Sequence, residues 1–168
     1  DISAPPIKAA KFLKVPSIAI SNFCWSDVLN FLNSERLSKL ISAYELADFA
    51  IQHPFGTPMS LFKTKKKIGI VCKKPTKTKK EILEKLEMEK KSYKIFINLS
   101  RQYKFSLKKN SSIRAFSTGS LVSPNCKKIK PWIEGQNLSY ASDLVICKLG
   151  YGMASECITH GTPFVYLS

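Results

Sequence analysis

Residues 144–167 read LVICKLGYGMASECITHGTPFVYL. Leu144-Val145-Ile146 has the composition of a strand, and Gly150-Tyr151-Gly152 follows at its carboxyl end. The spacing predicts a helix from about Tyr151 to His160, then a second strand over Phe164–Leu167. Strand, glycine step, helix and strand make one turn of a parallel α/β sheet. Strands in such sheets are buried on both faces, so they read as apolar runs rather than as alternations.

The same alternation continues outward from this stretch. Lys67–Cys72 (KIGIVC), Lys94–Leu99, Ile113–Phe116 and Lys127–Lys130 read as strands, and Gly135–Tyr140 as a helix. A further helix, Thr78–Lys91, begins with a threonine cap. Further back, a helix is expected within Asp1–Lys14 and a strand over Ser17–Ser21. Ser26 is read as a cap, followed by one or two amphipathic helices across Val28–Ala47 with a break at Asn33-Ser34. A brief strand at Phe49-Ala50-Ile51 comes next, and then Pro54, Gly56 and Pro58 interrupt regular structure. That interruption sets an expected boundary: 1–62 as the end of a first Rossmann-like domain plus hinge, and 63–168 as most of a second. The predicted fold class is α/β, with Rossmann-like parallel sheets. Because Ser168 follows the last strand directly, no helix is left to cover it, and the first residue is Asp1. The chain is expected to be incomplete at both ends.

The 168 residues are 44% hydrophobic, enough for a buried core. Five scattered cysteines (Cys24, Cys72, Cys126, Cys147, Cys157) include no CxxC pair, which argues against a disulfide framework or zinc site and for a reducing, cytoplasmic setting. No apolar run approaches the roughly 20 residues of a membrane span. The net charge of +15 is uneven: residues 63–130 hold 21 Lys/Arg against four Glu, while the flanking parts are near neutral. Arg36, Arg101 and Arg114 are the only arginines. A lysine block of this kind is read first as a solvated face, because specific phosphate and base readout recruits the bidentate arginine fork. A peripheral contact with an anionic membrane is its other expected use. Nucleic acid is disfavoured, since no RNP-like aromatic pattern, helix-turn-helix or finger spacing is present.

In open α/β sheets, ligands bind outside the carboxyl ends of the strands. Gly150 and Gly152 let a backbone approach a ligand, and the following helix N-terminus suits phosphate. Ser155 and Glu156 are expected in the first turn, where the glutamate could accept hydrogen bonds from ribose hydroxyls; a tight turn with Glu156 complementing the helix dipole is the structural alternative. His53 and His160 are read as structural, Trp25 and Trp132 as packing residues, and Cys147 and Cys157 as small buried apolar groups. No triad spacing, HExxH or Walker motif appears.

The segment Asp143–Val165 resembles the nucleotide-sugar-binding half of GT-B glycosyltransferases, in the group of the peptidoglycan N-acetylglucosaminyltransferase. The matches are Asp143-Leu144-Val145-Ile146, Gly150, Ser155-Glu156, Gly161-Thr162-Pro163 and Phe164-Val165. Upstream, Asp1-Ile2-Ser3-Ala4-Pro5-Pro6, Val15-Pro16 and Ser21-Asn22-Phe23-Cys24-Trp25 are similar to the glycosyltransferase-like region ahead of the kinase in plant arabinose kinases. The resemblance implies a UDP-sugar donor held in a cleft between two Rossmann-like domains, with no further cofactor. It implies that Glu156 holds the ribose, that Gly150, Tyr151, Gly152 and Ser155 lie beside the diphosphate or sugar, and that Asn22 and Phe23 face the cleft. Met153 stands where many members carry Thr or Ser, and the usual glycine-rich loop is replaced by Asn98-Leu99-Ser100-Arg101-Gln102, where Arg101 is the candidate diphosphate partner. The family's catalytic base lies in early loops that the chain does not contain. A glycosyltransferase is therefore the first expectation. A non-catalytic sugar-nucleotide-binding module, a UDP-sugar epimerase of the same fold and a basic nucleic-acid-binding domain are the alternatives.

Overall fold

A computed structural model of the chain describes residues 3–29, 31, 33–88, 91–99, 103, 107, 108, 110–118, 125–129 and 134–167. The chain forms two compact units, Asp1–Val71 and Cys72–Ser168. Both are α/β and every strand pairing is parallel.

The first unit runs α1 (Ala4–Phe12), β1 (Ile18–Ser21), α2 (Trp25–Val28), α3 (Ser34–Tyr44), β2 (Phe49–Gln52) and β3 (Lys65–Lys67), with strand order β1-β2-β3. Pro5 and Pro6 open α1, where no backbone N–H is needed for the helix. Asn33 caps α3 by accepting the Arg36 N–H at 3.0 Å, which is the break expected there. Ser26 is not a cap: it lies inside α2, Cys24 holds the N-cap position, and the Ser26 hydroxyl meets Cys24 Sγ at 3.2 Å. Ala19 and Ala50 sit opposite each other and are buried with Ile7, Tyr44, Met59 and Phe62. Gly56 is required as glycine, since a Cβ there would fall 1.5 Å from the Asn22 carbonyl oxygen.

One strand is placed differently from expectation. Lys67–Cys72 is not a strand; pairing covers Lys65–Lys67, and Ile68 donates a last bond to the Gln52 carbonyl at 3.1 Å. Pro54, which has no N–H to donate, closes the β2 ladder just beyond Gln52, so the pairing with β3 ends at Ile68. Residues just past the expected 62/63 boundary thus complete the first sheet.

The second unit contains α4 (Lys79–Lys85), β4 (Tyr93–Asn98), β5 (Ile113–Ser117), β6 (Cys126–Lys128), α5 (Gly135–Ala141), β7 (Leu144–Lys148), α6 (Tyr151–His160) and β8 (Phe164–Leu167). Thr78 and Glu81 form a capping box: Glu81 Oε2 accepts the Thr78 N–H at 2.8 Å, and Thr78 Oγ1 accepts the Glu81 N–H at 3.3 Å. The helix is shorter than Thr78–Lys91 because Leu86 is its C-cap and Glu87 turns left-handed, with φ 53°. Gly161, at φ 68°, closes α6 in the same way at a position suited to glycine. Strand order is β6-β5-β4-β7-β8. Period-two alternation divides β4: Phe96 packs with Phe116, Leu138, Val145 and Cys157 on one face, while Ile95 and Ile97 pack on the other with Leu144 and Ile146. Both faces are apolar, as a parallel sheet requires.

A candidate ligand site at the switch point of the second sheet

From β4 the chain moves outward to β5 and β6, then returns through α5 to lay β7 on the other side of β4. Strand order therefore reverses between β4 and β7. In doubly wound sheets, the crevice outside the carboxyl ends at such a reversal is where ligands bind. The carboxyl ends here are Asn98 of β4 and Lys148 of β7, and Lys148 leads through exposed Leu149 to Gly150. Gly150 is the N-cap of α6 in an extended conformation that any residue can adopt. A Cβ at Gly150 or Gly152 would meet nothing within 4 Å, so the glycines leave open space over the helix N-terminus. The first amides of α6 have no acceptor within the helix, and the positive end of its dipole lies at this terminus.

Glu156 lies in the second turn of α6, not the first, because the helix begins at Tyr151. Its partly buried carboxylate accepts the Ser139 hydroxyl of α5 at 3.3 Å. The same hydroxyl lies 3.1 Å from the Gln136 carbonyl, so one proton is divided between two acceptors. Burial pushes the Glu156 pKa up, and the Ser139 bond and the nearby Lys73 charge act against that. Ser155 is fully buried and donates to the Gly152 carbonyl at 2.9 Å, tying the helix start together. Met153 packs against the core of this unit. Arg101 and Trp132 lie outside the described residues.

Asn22 and Phe23 do stand at the carboxyl end of β1, with their side chains engaged inside the first unit. Asn22 Nδ2 donates to the Phe55 carbonyl at 3.1 Å, and the Asn22 carbonyl accepts the Thr57 N–H at 2.9 Å. Phe23 meets Trp25 edge-on at 5.0 Å. His160 meets Tyr140 edge-on at 5.5 Å, and burial pushes its pKa down. All five cysteines are free thiols, and burial drives Cys157, on the core side of α6, up to about 12. Among the described residues no cluster of His, Cys, Asp or Glu suited to a metal ion occurs.

Nothing in the sequence marks Ser139, Lys73 or Lys94 as site residues. Lys94 is 4% exposed, with its Nζ 3.9 Å from Asp143 Oδ2, while its backbone N–H donates to the same oxygen at 2.9 Å. Ser139 and Lys73 lie far from Glu156 along the chain, so no local spacing connects them. A cavity of about 670 Å³, lined by Lys74, Thr76, Tyr140 and His160, lies apart from the glycine step.

No family model matches the chain, whether of glycosyltransferases or of any other family. The chain is similar to an L-arabinokinase of Arabidopsis thaliana, 23% identical over 186 aligned residues. The alignment takes in 99% of this chain, which spans 18% of the length of the arabinokinase. The similarity to a plant arabinose kinase, read first from the N-terminal motifs, thus extends over nearly the whole chain.

Proposed function

We propose that the chain is the nucleotide-sugar-binding part of a glycosyltransferase-type protein, taking a UDP-sugar at the carboxyl ends of β4 and β7. One observation carries this reading: Gly150-Tyr151-Gly152 opens α6 at the point where the strand order reverses. In this reading the α6 amides beside Gly150, Tyr151 and Gly152 receive the diphosphate, with Arg101 as a second phosphate partner. Glu156 accepts the ribose hydroxyls. Ser155, bonded to the Gly152 carbonyl, shapes the turn. The similarity to an arabinokinase supports a sugar-related role.

A second, non-catalytic reading is favoured by a specific observation. His160 is packed on Tyr140 at the far end of α6 from the glycine step, so it is not placed to act as a base there. In that reading the chain binds a sugar nucleotide without transferring it. Isothermal titration calorimetry with UDP and UDP-sugars tests binding. Glu156→Ala is expected to weaken UDP about tenfold to a hundredfold, the loss of about 1.5–3 kcal/mol for hydrogen bonds to a charged group. An absence of binding, or unchanged affinity in the variant, overturns the site. Sugar release from a bound UDP-sugar then separates the catalytic from the non-catalytic reading.

A further inference from the structure

Residues 63–80 read KTKKKIGIVCKKPTKTKK: nine lysines in 18 positions, with no acidic residue, arginine or aromatic ring. All nine lysines are exposed, in contrast to buried Lys94. Among the described residues, two of the nine make ion pairs, Lys79 with Asp143 at 3.6 Å and Lys80 with Glu84 at 3.9 Å. Lys65 turns back onto the Pro58 and Met59 carbonyls. Lys63, Lys66, Lys67, Lys74 and Lys77 face solvent, and among the described residues no carboxylate lies within ion-pair distance of them. Between the two lysine groups, Ile70 is 37% and Val71 51% exposed, and no helix or strand occurs from Ile68 to Lys77.

Ammonium groups this close along one continuous stretch raise the local positive potential, which a negatively charged surface relieves. The absence of arginine removes the bidentate fork that reads phosphates and bases, and the absence of aromatic rings removes base stacking. What remains is diffuse positive charge bracketing two exposed aliphatic side chains. That combination suits a surface with dispersed negative charge above an apolar layer. We propose that residues 63–80 dock the protein on an anionic lipid bilayer, with the lysines at the headgroups and Ile70-Val71 at the acyl boundary.

Co-sedimentation with phosphatidylcholine vesicles, with and without phosphatidylserine, tests this. Partition is expected only into the phosphatidylserine vesicles at low salt, and it is expected to vanish near 1 M salt, where the screening length falls to about 3 Å. Each lysine near an anionic surface changes partition about fivefold, so Lys66→Gln/Lys67→Gln/Lys74→Gln is expected to lower it about a hundredfold. Ile70→Ser is expected to weaken partition while keeping its salt slope. These side chains are exposed, and circular dichroism checks that each variant folds; the lipid and salt dependence of the native chain decides the matter if one does not. The proposal is overturned by no partition at low salt, by equal partition into neutral vesicles, or by unchanged partition of a folded triple variant. Tighter retention on RNA or DNA than on the anionic vesicles also overturns it.

Discussion

Glu156 combines an unfavourable environment with the geometry of a binding group. Burial raises its pKa, and Ser139 and Lys73 offset that only in part. The folded state therefore binds a proton more readily than the unfolded chain. Its contribution to stability is full below the ordinary glutamate pKa of 4.5 and is lost as pH rises through the raised folded value. Glu156→Gln is accordingly expected to raise the melting temperature at neutral pH and to leave it unchanged below the ordinary pKa. Thermal denaturation at the two pH values checks this, and a lower neutral melting temperature for the variant would count against the burial argument. Stability gained together with lost UDP affinity is the signature of a group retained for binding rather than for folding. The residues around it differ in how readable they were. The glycine step and Glu156 stand out because they interrupt apolar runs. Ser139 does not, because a serine within a helix has no signal until α5 is laid beside α6.

At the scale of elements, one device occurs in both units. Asp48, just before β2, accepts the Ser17 N–H at 2.8 Å and the Ser17 hydroxyl at 3.0 Å with one oxygen. Asp143, just before β7, accepts the Lys94 N–H at 2.9 Å. Each aspartate thus pins the start of its strand to the start of the parallel neighbour, where the ladder itself leaves an N–H without a partner. The Ser17 bonds hold the Asp48 carboxyl below its ordinary range. The sign is opposite to that of Glu156: the stabilisation is present above the unfolded aspartate pKa and is lost as pH falls through the folded one. Asp48→Ala is expected to lower the urea midpoint at neutral pH, with the difference shrinking under acid. A difference that persists undiminished in acid would show that the carboxylate charge is not what pins the strand. The strand β3 shows the limit of pattern reading. Lys65-Lys66-Lys67 has no apolar signal and is a strand because β2 supplies its hydrogen bonds, whereas Ile68–Val71 has strand composition but the ladder with β2 ends at the Ile68 N–H bond to Gln52. An edge strand of three lysines also discourages pairing with a further chain.

Over the whole molecule, charge is the dominant long-range term. With a net charge of +15 and nine lysines within residues 63–80, folding gathers like charges that the extended chain keeps farther apart. Raising the salt from low to moderate concentration is expected to raise the melting temperature; a flat or falling response would mean that local pairing already balances the block. Among the described residues no helix is long and apolar enough to cross a membrane. The sequence by itself determined the α/β alternation, the position of the glycine step and the location of the charge, because these depend on composition and on spacing within a few residues. Only the tertiary structure decided that the strand order reverses at β4 and β7, that Asp48 and Asp143 pin neighbouring strands, and that Glu156 shares a proton with Ser139. Those contacts join residues 17 to 49 positions apart, and such partners become neighbours only when burial of both sheet faces draws separate apolar runs together.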